Sequence, residues 1–362
     1  MKKTSISRRK ALAGFGSIAA AVPLAADNQE PKLIGEPPGR IAPRADLVNV
    51  LEYENVAERK LAPVVFSTVA GSDRAFFDRI TFRPRMMVPT TDLDLTSTLF
   101  GEKMVAPVIA GPIARQQNFH PDGELATVRG ASAAKAVMVV SGESSVPIEK
   151  IAAEAKTPLW YQVFPEADSG AVRAKIQQAV KAGCKAIFIT VGAPIRNTSE
   201  RPNAARLASN ANGKLDWNVI DQLRKDAGVP VILKGIMTAE EADAAIKRGV
   251  QGIVVSNYGG LLTRGMASSM EMLPSIADAV GGRVPVLIDG NFRRGSDIFK
   301  ALAFGASAVL VGRPVMWGLA AYGAEGVQGV LEMLQTEVAR DMCQCGKANL
   351  KVVDRTVVKL HA

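Results

Sequence analysis

Gly252-Ile253-Val254-Val255-Ser256-Asn257-Tyr258-Gly259-Gly260-Leu261 is a short apolar run that stops at polar and glycine residues. So short an apolar run, bounded by turn formers, reads as a strand buried on both faces. The pattern recurs from Val105 onward, and eight runs can be counted. They are Val105–Ala110, Val137–Val140, Leu159–Phe164, Ala186–Val191, Val229–Leu233, Gly252–Val255, Val284–Ile288 and Ala306–Val311. Helical stretches such as Ser169–Ala182, Ala239–Lys247 and Gly295–Phe304 lie between them, with Gly183, Gly249 and Gly305 placed as stops. Eight strand-helix repeats predict an α/β fold, a TIM (β/α)8 barrel rather than an open sheet.

In such a barrel the functional residues sit where strands end and loops begin. Those ends read Gly111-Pro112-Ile113-Ala114, Ser141, Gln162, Thr190, Lys234, Ser256-Asn257, Asp289-Gly290 and Gly312-Arg313. Small, polar and cationic groups in a ring suit a flat polar cofactor.

Composition is that of an ordinary globular protein, long enough for one large α/β barrel or two smaller domains: 362 residues, 48% hydrophobic and 22% charged. The net charge of +9 does not argue for nucleic acid. Lys2, Lys3, Arg8, Arg9 and Lys10 fall in the first 26 residues, which contain no acid, and removing them leaves 39 basic against 35 acidic residues, or +4. Ser7-Arg8-Arg9-Lys10 followed by the mild apolar stretch Ala11–Ala26 resembles a twin-arginine signal, which implies export to the periplasm; a basic tail is the alternative. The stretch is too short and mild to span a membrane. Cys184, Cys343 and Cys345 form no disulfide framework, and no metal site is expected with only His120 and His361 as histidines. The expected organisation is a signal over 1–26, a linker over 27–45, an N-terminal cap and lead-in over 46–100, and the barrel over 101–362. Asp46–Ala75 reads as helices capping the barrel base, and Phe82-Arg83-Pro84-Arg85 as an extended lead-in.

Ser256-Asn257-Tyr258-Gly259-Gly260-Leu261 resembles the Ser-Asn-His-Gly-Gly-Arg run of the FMN-dependent 2-hydroxy-acid oxidases and dehydrogenases, the glycolate and lactate oxidase family. The ordered strand ends extend the resemblance from about Asp46 to Leu350. It implies FMN as cofactor. Lys234 would stabilise negative charge near flavin N1 and O2, and Gln162 and Thr190 would bond the pyrimidine edge. Ser141 and Pro112-Ile113-Ala114 would line the ring, with Ser256 beside them. Asp289-Gly290-Asn291-Phe292-Arg293-Arg294 and Gly312-Arg313 resemble the family's phosphate loops, where glycine turns expose N–H groups and Arg293 and Arg313 supply charge-assisted bonds. Asn291 occupies a family glycine, and because asparagine tolerates positive φ the loop is expected to survive. The resemblance also implies a homo-oligomer, commonly a tetramer.

The substrate side departs from the family. Tyr258 stands at its histidine base, Leu261 at an arginine, Phe164 at a tyrosine, and Gly192 at the aspartate that orients the histidine. A second arginine is expected near Ser199, with Arg196 or Arg201 as stand-ins, while Tyr53 in Leu51-Glu52-Tyr53-Glu54 reads as a retained substrate tyrosine. An unperturbed tyrosine titrates near 10, so using it as a base at pH 7 costs on the order of 4 kcal/mol. His120 matches a family histidine that is not the base, and His361 is penultimate. Glu143 falls where the family places a pocket tryptophan, and Arg115 replaces an apolar residue; the two read either as an acid/base and anion-binding pair or as an exposed ion pair. The connection around Arg196–Gly213 is shorter than in the family, which implies an open site for a small-molecule substrate that can exceed lactate in size. The reading is an FMN oxidoreductase that passes hydride from substrate to flavin N5, on an altered substrate. Its catalytic candidates are Tyr258, Lys234, Tyr53 and Glu143. Two alternatives stand beside it: an FMN-binding pseudoenzyme, and a metal or sugar-phosphate barrel enzyme without flavin.

Overall fold

The computed structural model describes residues 41–71, 74–85, 87–165, 169–191, 217–258 and 267–361. The chain divides into two units, Met1–Ala42 and Pro43–Ala362, and the barrel lies in the second. The expected signal and most of the expected linker fall outside the described residues.

Each of the eight apolar runs forms a strand: β1 (Val108–Ala110), β2 (Met138–Ser141), β3 (Leu159–Val163), β4 (Ile187–Thr190), β5 (Val231–Ile236), β6 (Gly252–Val255), β7 (Val286–Ile288) and β8 (Ala308–Val311). They close into a parallel barrel in sequence order, with β8 pairing β1. β1, β5 and β7 start later than their apolar runs because each follows a proline: Pro107, Pro230 and Pro285. A proline has no N–H to give the ladder, so it ends the run on that side. Its carbonyl still accepts, from Val309, Ile187 and Ile253 respectively, at 3.0, 2.9 and 3.2 Å. Helices Ser169–Lys181, Ala239–Lys247 and Gly295–Ala303 stop before Gly183, Gly249 and Gly305, which take φ of 102°, 79° and 104°.

The barrel is filled from one face of every strand. Ile109, Val139, Trp160, Phe188, Ile232, Val254, Leu287 and Leu310 belong to one buried cluster, so the interior is a packed core and not a pore. Its base is closed by a hairpin, Ser97–Leu99 paired with Glu102–Met104, whose tip carries Phe100. That ring sits 5.3 Å from Trp160 and 6.3 Å from Phe188. The base was expected to be capped by residues 46–75, and this is corrected: the hairpin plugs it, and the boundary placed at 100/101 falls on the hairpin's tip.

The N-terminal helical cap lies elsewhere. Helix Val50–Lys60, capped by Asn49, packs against the long C-terminal helix Arg313–Gln344, which is broken at Tyr322 and Gly323. Beyond it the chain climbs to the opposite end of the barrel, where the carbonyl of Val69 accepts from Trp317 Nε1 at 3.0 Å.

Candidate active site

Because side chains alternate along a strand, the residue two positions beyond each core residue faces the same way. Those positions read Gly111, Ser141, Gln162, Thr190, Lys234, Ser256, Asp289 and Gly312. The interior face that is apolar through the barrel therefore turns polar in one step at its carboxyl end. Ser141, Gln162, Thr190, Lys234 and Ser256 are all buried. Two residues further lie Ile113, Glu143, Phe164, Tyr258 and Asn291, which form the mouth.

The polar layer is internally bonded. Ser141 Oγ donates to Gln162 Oε1 at 3.2 Å, and Gln162 Nε2 donates to Thr190 Oγ1 at 2.9 Å, linking β2, β3 and β4. Lys234, 3% exposed, donates from Nζ to Ser256 Oγ at 2.9 Å and pairs with Asp289 at 2.8 Å. Its aim depends on Gly235, where β5 bulges at φ 110° and an added Cβ would lie 1.9 Å from the Val191 carbonyl oxygen.

At the β7 and β8 ends two guanidiniums converge. Arg293, 1% exposed, donates to the carbonyls of Phe292 (3.0 Å) and Gly71 (2.9 Å) and lies 4.6 Å from the Trp317 ring centroid. Arg313 donates to the same Gly71 carbonyl at 2.6 Å and to Asn291 Oδ1. Burial, and then neighbouring Arg313, push the Arg293 guanidinium down to about 9; burial also lowers that of Arg313. A buried cation beside a half-buried one favours an anion, and Arg293 Nε has no protein partner. Arg313 also opens the C-terminal helix, whose first N–H groups add to the attraction. Asn291 takes φ 61°, so the loop keeps its turn without the glycine, as expected. The loop is braced from behind by Asp297, fully buried, which accepts from the N–H groups of Arg293 and Arg294 at 2.9 Å and binds both terminal nitrogens of Arg74 at 2.7 Å.

A 160 Å³ hollow at this cationic end and a 450 Å³ cavity over the polar layer share Pro112, Ile113, Lys234, Tyr258 and Arg313. An anionic tail beside the arginines and a flat polar ring over Lys234 and Gln162 match the donors on offer. That is the chemistry FMN requires of its site.

Sequence reading missed Gly71, Arg74 and Asp297 as phosphate-loop supports. Only Asp297 left a signal, as an acid in the first turn of a helix. It also misplaced Tyr53. That side chain is 1% exposed, with its ring 6.1 Å from Tyr322, and it lines a separate cleft with Arg44, Gly329 and Glu332. Thr68 and Val69 line the mouth instead, so Tyr53 is a packing residue and not a catalytic one. Tyr53→Phe should leave FMN affinity within about twofold of wild type, because remote sites act independently; flavin fluorescence titration measures it. Tyr258 is 47% exposed, 5.8 Å from the Phe164 ring, with Lys234 Nζ 5.1 Å from its own centroid. Neither histidine reaches the mouth: His120 packs on Gly323, and His361 bonds Thr81 at the surface. Gly192, Arg196, Ser199, Arg201 and Leu261 lie outside the described residues.

The family model for FMN-dependent dehydrogenase matches residues 67–211 and 195–360. Glycolate oxidase 3 of Arabidopsis thaliana is 34% identical over 87% of this chain and 96% of its own length. An L-lactate oxidase of Nostoc sp. is 35% identical over 86% and 98%. A crystal structure of mandelate oxidase superposes with TM-score 0.81 at 35% identity, covering 87% of this chain and 99% of that one. The chain belongs to the FMN-dependent dehydrogenase family. It is a TIM-barrel flavoprotein oxidoreductase of the 2-hydroxy-acid oxidase kind, with FMN as cofactor, and the one flavin-free alternative is set aside.

Proposed function

We propose that this chain oxidises a small molecule at the barrel mouth with FMN as acceptor, and that its substrate is not an ordinary 2-hydroxy acid. One observation carries this reading: Tyr258 occupies the end of β6 where the resemblance calls for a histidine base, while His120 and His361 both lie elsewhere. FMN, when bound, supplies a two-electron hydride acceptor. Lys234 then sets a buried positive charge in the polar layer, Gln162 and Thr190 fix the ring's orientation, and Arg293 and Arg313 anchor the phosphate. Thr68, Phe164 and Tyr258 bound the volume left for substrate. Abstracting an alcohol proton as hydride leaves needs a positioned base, which contributes about 10²–10⁴-fold, and a tyrosine is poorly matched to that task near neutral pH.

Purified protein is expected to be yellow, to bleach with dithionite, and to stay oxidised on anaerobic addition of lactate, glycolate or mandelate. Reduction by any of the three at ordinary rates would refute the reading of Tyr258. The pseudoenzyme alternative requires that no small molecule reduces the flavin. The basic, apolar and small-residue order of residues 1–26 supports export by a twin-arginine route, which carries proteins already folded around their cofactor. The family resemblance supports a homo-oligomer.

A further inference from the structure

The mouth carries a carboxylate that 2-hydroxy-acid oxidation does not call for, and an arginine shares its rim. Arg115, exposed at the rim, and Glu143, half-buried beyond Ser141, line the 450 Å³ cavity together with Phe119, Phe164 and Tyr258. Their backbones are fixed to each other. The Arg115 N–H donates to the Glu143 carbonyl at 3.0 Å, and the Gln117 N–H to Ser145 Oγ at 3.2 Å. Glu124, 0% exposed, ties both loops from below, one oxygen accepting from the N–H groups of Gln116 at 3.1 Å and Ser145 at 2.9 Å. Arg115 is held in left-handed backbone, φ 53° and ψ 50°, which an arginine adopts only where its surroundings impose it.

Resting on the function proposed above, we propose that the substrate is an amino acid, its ammonium received by Glu143 and its carboxylate by Arg115. A hydroxy acid presents an anion and a neutral hydroxyl, so a carboxylate on the cavity wall opposes it; an ammonium reverses that sign. The aromatic faces of Phe119, Phe164 and Tyr258 add attraction for a cation. The chemistry agrees. An alcohol O–H, far less acidic than an ammonium, needs a base as hydride departs, whereas an amine titrates at about 8 to 10 and its neutral form expels hydride by its own lone pair. A site whose histidine base has become Tyr258 therefore suits an amine. In the reaction the Cα–H bond breaks with its electron pair, which FMN accepts as the two-electron oxidant. A C=N bond forms, protons from nitrogen pass through Glu143 to solvent, and water then hydrolyses the imino acid to an oxo acid and ammonia.

The test uses oxidised holoenzyme, anaerobically, against a panel of L- and D-amino acids, with lactate, glycolate and mandelate alongside. At least one amino acid is expected to bleach the flavin and release one ammonia per flavin reduced. Binding is read separately by calorimetry, with the 2-methyl analogue of that amino acid, which lacks the Cα–H bond. Glu143→Gln should raise its Kd at least about tenfold while leaving the Kd of the deaminated acid within about twofold; Arg115→Met should weaken both. Equal effects of Glu143→Gln on the two ligands would overturn the assignment. So would a panel in which no amino acid reduces the flavin. Reduction by a hydroxy acid overturns the reading of Tyr258 itself, whereas a flavin reduced only by dithionite overturns the amino-acid inference alone.

Discussion

Replacing Lys234 with methionine should lower the two-electron reduction potential of the bound flavin by about 60–90 mV. Electrostatic stabilisation by one preorganised donor is worth about 2.7–4 kcal/mol, and for a two-electron couple about 1.4 kcal/mol corresponds to 30 mV. Lys234 can act at that strength because it is 3% exposed and fixed by Ser256 and Asp289 at 2.9 and 2.8 Å. Charge held in a water-excluded site is screened little and needs no reorganisation. Methionine keeps the side chain's length and apolar stem while removing the charge, so cofactor binding should survive the change. An anaerobic titration against a reference dye gives the potential. A shift smaller than 10 mV would remove Lys234 from its assigned role.

Arg293→Met should strip the protein of cofactor. A hydrogen bond to a charged group is worth about 1.5–3 kcal/mol, so loss of the arginine's bonds to the phosphate should weaken FMN binding by roughly 10- to 150-fold. Arg293→Lys should rescue little. The planar fork of arginine reaches the Phe292 and Gly71 carbonyls together while lying 4.6 Å from the Trp317 centroid, and a single ammonium cannot do all three. Flavin fluorescence on titrating the apoprotein measures the Kd, and a thermal melt separates lost binding from lost folding. An unchanged Kd with an unchanged melt would place the phosphate elsewhere.

The fold was legible because its signal is local. Most strands are runs of apolar residues that give way to a glycine or polar group, and β1, β5 and β7 begin at prolines visible in the sequence. The polar layer was legible for the same reason: Ser141, Lys234 and Ser256 each follow an apolar run, and Gln162 and Thr190 interrupt one near its end. Tyr53 was misread because a tyrosine in a plausible local context says nothing about which end of the barrel its helix reaches. The hairpin at residues 97–104 was missed because strands of three residues carry too little pattern to separate from a lead-in segment.

By itself the sequence determined which residues share the inner face of the barrel and where that face changes from apolar to polar, since alternation along a strand is set by the backbone of that strand alone. The resemblance carried by those strand ends, and not the alternation, is what pointed to FMN. Only the tertiary structure decided what surrounds that layer. Gly71 meets Arg293 across more than two hundred residues, Arg74 reaches Asp297 to brace the phosphate loop, and Glu124 binds the loops bearing Arg115 and Glu143 into one rim. Those contacts join loops to the first turns of helices and to one another, and their meeting depends on how loops pack over a closed barrel. No periodicity encodes it.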